Sequence, residues 1–232
     1  MKTVVLPRPE LIRRAVDEIC DVIHQKPDAV ITMAAGRSML PVWQLLGERV
    51  AAGFVSLRDV RFFQTAEFLD CPEGKSLRCM TENNLLKVAD LQKENCFWLT
   101  EQNLAECDEQ ISNAGGLDLA VLGIGCNAHI GFNEPATQYD TRCRIQKLTD
   151  KTKKQYAWLF DGAEHVPEKA CTMGIHTLID ARKIMVVSFG EEKAQATFDM
   201  LYARDDSVIP AAFLQLPFDV TVFADPEAAG KL

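Results

Sequence analysis

The segment LDLAVLGIGCNAHIGFNEP, residues 117–135, contains the side chains of this chain that are best suited to chemistry. Asn127, His129, Asn133 and Glu134 place an imidazole, a carboxylate and two amides close together. A neutral imidazole exchanges protons near pH 7, and a carboxylate partner fixes its tautomer and stabilises its charged form. The segment therefore predicts a general acid–base site.

The residues around this polar group explain how it would be presented. The apolar run at residues 117–122 predicts a strand buried on both faces of a parallel sheet. Gly123, Gly125 and Gly131 then let the backbone turn tightly and approach a ligand. Because open α/β sheets bind ligands at the carboxyl ends of their strands, we expect this loop to be the active site. Cys126, inside the loop, is expected to be a small packed side chain rather than a nucleophile.

A strand, a turn of small residues and a helix start also follow one another at residues 29–50. The turn contains Gly36, Arg37 and Ser38, and the new helix is predicted from about Met39. Free amide N–H groups and the helix dipole at such a turn favour phosphate. Arg37 adds a permanent charge and Ser38 a hydroxyl, so the turn is a candidate anion site, although many βα turns use glycine for geometry alone.

Other titratable residues are weaker candidates. Lys193 follows the strand predicted at residues 184–189 and lies just inside a helix start, where a cation opposes the dipole unless an anion is nearby. Glu67 and Asp70 follow the strand predicted at residues 60–64 and could act as acid or base, although loop carboxylates are more often solvated or capping. His176 is expected to be a packed or surface histidine.

Strands that alternate with helices predict a Rossmann-like α/β fold, a three-layer sandwich with a mostly parallel sheet, in one domain covering residues 1–232. The segments at residues 209–214 and 220–223 are expected to complete the sheet. The pattern G-x-G-x-x-G is absent after Gly123, which disfavours a dinucleotide enzyme. Helices are predicted over the ranges 9–24, 39–50, 81–88, 105–113 and 191–202, and in a segment containing Tyr156 and Trp158.

Composition narrows the class of partner. The formal net charge of −8 argues against non-specific binding to nucleic acid or to an anionic membrane, and leaves room for a small anion at a local basic cluster. There is no predicted signal peptide or membrane span, so we expect a cytoplasmic protein. The eight cysteines are scattered without a C-x-x-C pair. We expect them to be reduced, with no structural metal.

At this point the stretch GLDLAVLGIGCNAHIGFNEPA resembles the signature of the glucosamine-6-phosphate deaminase/isomerase family, especially its galactosamine-6-phosphate isomerase-like branch. The resemblance covers nearly the whole chain, since KPDAVITMAAGRS, CTMGIHTLIDARKIMVVSFGEEKAQA and IPAAFLQLP are also similar to family segments. Related 6-phosphogluconolactonases have a similar loop and histidine, but continue with apolar residues where this chain has Asn133-Glu134-Pro135.

The resemblance implies conversion of a 6-phosphorylated 2-amino-2-deoxy-hexose to the ketose 6-phosphate and ammonia, without a metal or organic cofactor. His129 would open the sugar ring, with Glu134 and Asn127 orienting it. Lys193 and the turn at residues 36–38 match the family's phosphate-binding positions, and Gly125 lies in the same ligand region. Hexameric family members have longer tails, so the resemblance implies a monomer or small homo-oligomer.

Four positions depart from the family pattern. Ala66 occupies the position of the proton-shuttling aspartate, and replacement of that base by Glu67 would need a shifted backbone. Trp158 occupies the position of a phosphate-contacting arginine, and Arg37 that of a small residue, so the guanidinium is interpreted as relocated across the phosphate site. Ala128 replaces a glycine. Two hypotheses follow: an active isomerase/deaminase, or a binding or regulatory homologue without proton transfer. A lactonase-like hydrolase is a further alternative.

Overall fold

The structure, a computed structural model, describes residues 1–204 and 208–232. Its strands in chain order are β1 (Lys2–Val5), β2 (Val30–Met33), β3 (Arg61–Gln64), β4 (Ala66–Phe68), β5 (Cys96–Phe97), β6 (Leu119–Gly123), β7 (Arg144–Lys147), β8 (Lys169–Thr172), β9 (Lys183–Ser188) and β10 (Val220–Ala224). Its helices are α1 (Arg8–Gln25), α2 (Leu40–Ala51), α3 (Leu77–Thr81), α4 (Leu104–Asn113), α5 (Asp150–Phe160), α6 (Ile175–Ile179) and α7 (Ala194–Tyr202).

A seven-stranded sheet forms the centre, in the order β1-β10-β9-β6-β2-β3-β5. Every neighbouring pair is parallel, with Met33 opposite Val121 and Gly123 opposite Val187. This register aligns the carboxyl ends of β2, β6 and β9 at one edge of the sheet, where their loops meet. The predicted Rossmann-like fold with a mostly parallel sheet is confirmed.

Apolar residues on both faces of the sheet explain the three layers. In β6, Leu119 and Val121 pack with α1 and α2 on one side, while Ala120 and Leu122 pack with α4, α6 and α7 on the other. All four are fully buried. A strand that is apolar at every position is stable only between two helical layers, as the run at residues 117–122 predicted.

A smaller antiparallel sheet, β4-β8-β7, lies beside the central one and was not predicted. Ala66 pairs with Thr172, and Arg144 pairs with Thr172 from the other side. Successive side chains of β4 point to opposite faces. Ala66 and Phe68 therefore enter an aromatic cluster with Phe132 and Tyr156, and Glu67 points the other way.

Some predicted elements are corrected by the structure. Residues 209–214 were expected to join the sheet, but Pro210–Gln215 is a 3-10 helix. Pro210 lacks the N–H that a sheet requires and suits the first turn of a helix. The helix expected at residues 81–88 begins earlier, at Leu77, because the Ser76 side chain accepts a hydrogen bond from the Cys79 N–H and caps it. No helix in the described residues is long and apolar enough to cross a membrane.

Candidate active site

A cavity of about 740 Å³ opens at the carboxyl ends of β2, β6 and β9. It is lined by His129 and Gly125 from the loop after β6, by the turn after β2, and by Lys193 from the turn after β9. The predicted loops therefore meet in one place. Among the predicted site residues, those lining the cavity are Gly36, Arg37, Ser38, Gly125, His129 and Lys193.

His129 lines the cavity, and hydrogen bonds hold its ring in place. Its Nδ1 lies 2.6 Å from Asn127 Oδ1 and 3.1 Å from Thr152 Oγ1. Asn127 Nδ2 donates 2.8 Å to Glu134 Oε2, which orients the amide and leaves Oδ1 as an acceptor. Because that oxygen can only accept, we assign the proton of the neutral imidazole to Nδ1. Nε2 is then the nitrogen available as a base.

Glu134 holds Asn127, which in turn holds His129, and Glu134 also hydrogen-bonds to the start of helix α5. Its Oε1 accepts from the Thr149 N–H at 2.9 Å, and its Oε2 accepts from the Thr149 hydroxyl at 3.1 Å. Thr149 in turn is the N-cap of α5 and accepts from the Thr152 N–H. Glu134 therefore orients His129 through Asn127 rather than by direct contact, and the same residue fixes the start of α5.

Burial keeps His129 neutral. The residue is 3% exposed, and burial lowers its pKa from 6.5 to about 4. The negative charge of Glu134 raises the pKa and the positive charge of Lys193 lowers it, but burial is the largest effect. The imidazole is therefore a proton acceptor at neutral pH.

The loop backbone is built around this ring. Any side chain at Gly125 would collide with the imidazole of His129, so only glycine fits there. Ala128 has a φ of 61°, in the left-handed region where glycine is usual. Asn133 takes no part in the hydrogen bonds that link Glu134, Asn127 and His129. Its Nδ2 donates to the carbonyl oxygens of Ile130 and Met173, and these two bonds fix the loop.

Basic side chains outnumber carboxylates in the cavity lining although the chain is acidic overall. Its charged lining residues are four basic side chains and one carboxylate: Arg8, Arg37, Lys154, Lys193 and Glu192. Lys193 is 7% exposed, and its Nζ lies 3.2 Å from Cys126 Sγ. Cys126 is exposed to the cavity, so the expectation that it packs as a gap filler is wrong.

Arg37 and Trp158 contact each other across the cavity. The guanidinium carbon of Arg37 lies 5.0 Å from the Trp158 ring centroid, the geometry of a cation–π pair. Arg37 belongs to the turn after β2 and Trp158 to helix α5, and both line the cavity. The guanidinium is therefore held beside the Gly36–Ser38 turn, and no carboxylate of residues 1–204 or 208–232 forms a salt bridge with it.

Glu67 is not brought into the cavity. Its carboxylate accepts from the Gln64 side chain at 2.9 Å and from the backbone N–H groups of Phe68, Leu77 and Arg78 at 2.8–2.9 Å. It thus ties β4 to the start of α3. The residue of β4 that does line the cavity is Ala66. Asp70, in a turn with a φ of 51°, does not line it either.

Several cavity residues have no local signal in the sequence. Arg8 is brought there by Asp225, which accepts from its Nε at 2.9 Å and its Nη2 at 2.6 Å. Tyr156 lies in the helix predicted from its segment, and nothing in that segment marks it as a cavity residue. The Thr149-x-x-Thr152 spacing is a capping pattern that would have located the start of α5, but not its contact with Glu134. Among described residues, no group of three His, Cys, Asp or Glu side chains could hold a metal ion.

Comparison with known proteins agrees with this architecture. The family model described as glucosamine-6-phosphate isomerases/6-phosphogluconolactonase matches residues 8–222. The glucosamine-6-phosphate deaminase of Clostridium tetani is 36% identical over 228 residues, covering 95% of each chain. That of Mycoplasma mycoides is 32% identical, covering 100% of this chain and 98% of its own.

Solved structures show the same relationship. A monomeric glucosamine-6-phosphate deaminase superposes with a TM-score of 0.96 at 28% identity, with both chains fully covered. The 6-phosphogluconolactonase of Trypanosoma brucei shares the fold, with a TM-score of 0.79 at 19% identity over 100% of this chain and 98% of its own. The chain belongs to the glucosamine-6-phosphate isomerase/6-phosphogluconolactonase family.

Proposed function

We propose that this chain is an amino-sugar phosphate isomerase/deaminase. It would convert glucosamine 6-phosphate or galactosamine 6-phosphate to the ketose 6-phosphate and ammonia. The observation that carries the proposal is the neutral His129, which is oriented by Asn127 and faces a cavity rich in basic side chains. The names of the relatives favour the gluco epimer, and the galacto epimer follows from the resemblance of the sequence.

In the proposed first step His129 opens the ring. Ring opening of a hemiacetal moves one proton from the C1 hydroxyl to the ring oxygen, with no net gain or loss. A neutral imidazole at Nε2 can accept that proton and return it to the ring oxygen. Asn127 and Glu134 favour this exchange because they hold the tautomer and stabilise the transient imidazolium.

The phosphate is proposed to bind beside the Gly36–Ser38 turn. Arg37 supplies a charged donor, and Lys193 supplies a buried ammonium without a carboxylate partner among the described residues. Both face the cavity at the same edge of the sheet as His129. A 6-phosphate held there would place the sugar across the cavity toward the imidazole.

In the second step a proton moves from C2 to C1 while a proton of the amino group passes to the C1 oxygen, and the resulting imine at C2 is hydrolysed by water to the ketone and ammonia. We propose that this step is slow in this chain, because Ala66 has no group that can carry the proton and Glu67 faces away. The loss of a general base typically costs about 10²–10⁴ in rate. A sugar-phosphate binding or regulatory role is the alternative if the rate falls to zero.

The second candidate is hydrolysis of a 6-phosphorylated lactone. That reaction needs one base to activate water for attack on the C1 carbonyl, and it needs no carrier between C2 and C1. His129 lines the cavity and could act as that base. The absence of a carboxylate from β4 among the cavity-lining residues favours this candidate, because hydrolysis of the lactone does not need one.

The test is an assay of ammonia and ketose phosphate from both amino-sugar phosphates, with His129→Ala as the variant. His176→Ala is the matched control, because His176 lies outside the cavity. Turnover that persists in the control and disappears in His129→Ala supports the proposal. If no turnover occurs but a sugar phosphate raises the melting temperature, the enzyme proposal fails for that substrate. Lactone hydrolysis without ammonia release would favour the second candidate.

A further inference from the structure

The hydroxyl group of Tyr156 is a polar group of the cavity that the proposed steps do not use. Tyr156 is 8% exposed and lines the cavity. Its hydroxyl hydrogen-bonds to no group of residues 1–204 and 208–232, and opens into the cavity instead. The oxygen is open to the cavity rather than sealed in the core, so its hydrogen-bond partner is a molecule that occupies the cavity.

The position of the ring is fixed by packing. The Tyr156 ring lies edge-on to Phe68 at 5.2 Å and to Phe132 at 5.4 Å, measured between ring centroids. Thr152, Tyr156 and Phe160 form the buried stripe of α5, and Thr152 is the residue that contacts His129. The contact between Thr152 and His129 and the packing of the Tyr156 ring together fix the position of the hydroxyl.

The hydroxyl lies over the turn that the proposed function assigns to phosphate. A Cβ atom placed on Gly36 would be 3.9 Å from the Tyr156 hydroxyl oxygen. Burial, together with the negative charge of Glu134, raises the pKa of Tyr156, so the phenol stays protonated and acts as a donor. Phosphate oxygens accept hydrogen bonds, and a protonated phenol beside Gly36 complements them.

We infer that the Tyr156 hydroxyl donates a hydrogen bond to a phosphate oxygen of the bound sugar phosphate. Tyr156 then completes, from helix α5, a phosphate site whose other groups come from the turn at residues 36–38 and from Lys193. The inference rests on the proposed function and adds a binding residue to it. It also explains why α5 can present Trp158 to Arg37 and still contribute a donor of its own.

The experiment measures the dissociation constants of glucosamine 6-phosphate, and of inorganic phosphate as its competitor, for wild type and Tyr156→Phe. The variant keeps the ring and its packing and removes only the oxygen. We expect both constants to rise about tenfold, the size of one hydrogen bond to a charged group. Tyr139→Phe is the control, since Tyr139 is exposed and does not line the cavity.

Two results would overturn the inference. Affinities within twofold of wild type for both ligands would show that the hydroxyl does not contact the ligand. Weaker binding of the sugar phosphate with unchanged binding of inorganic phosphate would place the contact on the sugar instead. If wild type itself binds neither ligand, the proposed function fails first, and that outcome is distinct because it appears before any variant is compared.

Discussion

The loop after β6 and strand β4 line the same cavity, but they present different chemistry to it. In the loop, the carboxylate of Glu134 hydrogen-bonds to Asn127, and Asn127 in turn hydrogen-bonds to His129 in the cavity. In β4, the carboxylate of Glu67 is on the far face and only the methyl group of Ala66 reaches the cavity. The face of a strand on which a residue lies therefore matters as much as its type.

Both glutamates are satisfied by hydrogen bonds, yet with different results. Glu134 accepts from Asn127 and Thr149, which connects it to the imidazole. Glu67 accepts from backbone N–H groups at the start of α3, where a carboxylate is favoured by the helix dipole. Glu134 is thus connected to the loop histidine, Glu67 holds the start of α3, and no residue of β4 that can carry a proton lines the cavity.

The largest expected effect comes from restoring a carboxylate to β4. Ala66→Asp should raise the rate of ammonia release by about 10²–10⁴, because a general base would face the cavity from that strand. Ala66→Asn is the matched control, since it has similar size and no proton-carrying group. Equal rates in the two variants would show that the missing carboxylate is not what limits the reaction.

The buried histidine should make stability depend on pH. His129 has a pKa of about 4 in the folded chain and about 6.5 when unfolded, so the unfolded chain binds the proton first as pH falls. Stability present above pH 6.5 is then lost as the pH falls toward 4, by about 3 kcal/mol. Denaturant unfolding of wild type and His129→Gln at pH 6.5 and at pH 4 measures this loss of stability. A constant difference between the two proteins would contradict the assignment, and His176→Gln controls for loss of a histidine.

Glu67 should affect folding without affecting chemistry. Glu67→Ala leaves the N–H groups of Phe68 and Leu77 without their acceptor, and should lower the free energy of unfolding by roughly 3 kcal/mol. Ring opening in the folded variant should stay within twofold of wild type. The opposite pattern, normal stability with lost ring opening, would mean that Glu67 reaches the substrate.

Arg37 should contribute to binding through its charge. Arg37→Ala should weaken sugar-phosphate binding by about 1–3 kcal/mol, measured by calorimetric titration. Arg13→Ala is the control, because Arg13 is an exposed arginine of α1 outside the cavity. Unchanged affinity in Arg37→Ala would refute the interpretation that its guanidinium replaces the arginine expected at Trp158.

Strong local patterns made much of the fold predictable. The apolar runs of β2, β3, β6 and β9 and the periodicity of α1 and α4 each specify an element without help from distant residues. The active-site loop was predictable for the same reason, since its glycines and polar residues are adjacent in the chain. The resemblance to the family implies that His129, Arg37 and Lys193 belong to one region, and parallel strands that meet at one edge agree with this.

Features that depend on distant contacts were not predictable. Strands β4, β7 and β8 are short, and β4 pairs with β8 across about a hundred residues of chain. The side of β4 on which Glu67 lies depends on that pairing. Arg8 lies at the cavity because it binds Asp225 at the other end of the chain. Tyr156 has the spacing of a core aromatic residue, and its position beside the Gly36 turn is set only by the tertiary structure.

The most direct measurement separates the two halves of the reaction by proton NMR of glucosamine 6-phosphate in heavy water. We expect wild type to accelerate interconversion of the α and β anomers, which requires ring opening, and His129→Ala to abolish this acceleration. We also expect deuterium to enter at C2 much more slowly than the anomers exchange. Rapid deuterium incorporation at C2 by wild type would contradict the proposal that proton transfer from C2 is slow, because Ala66 would then not limit that step.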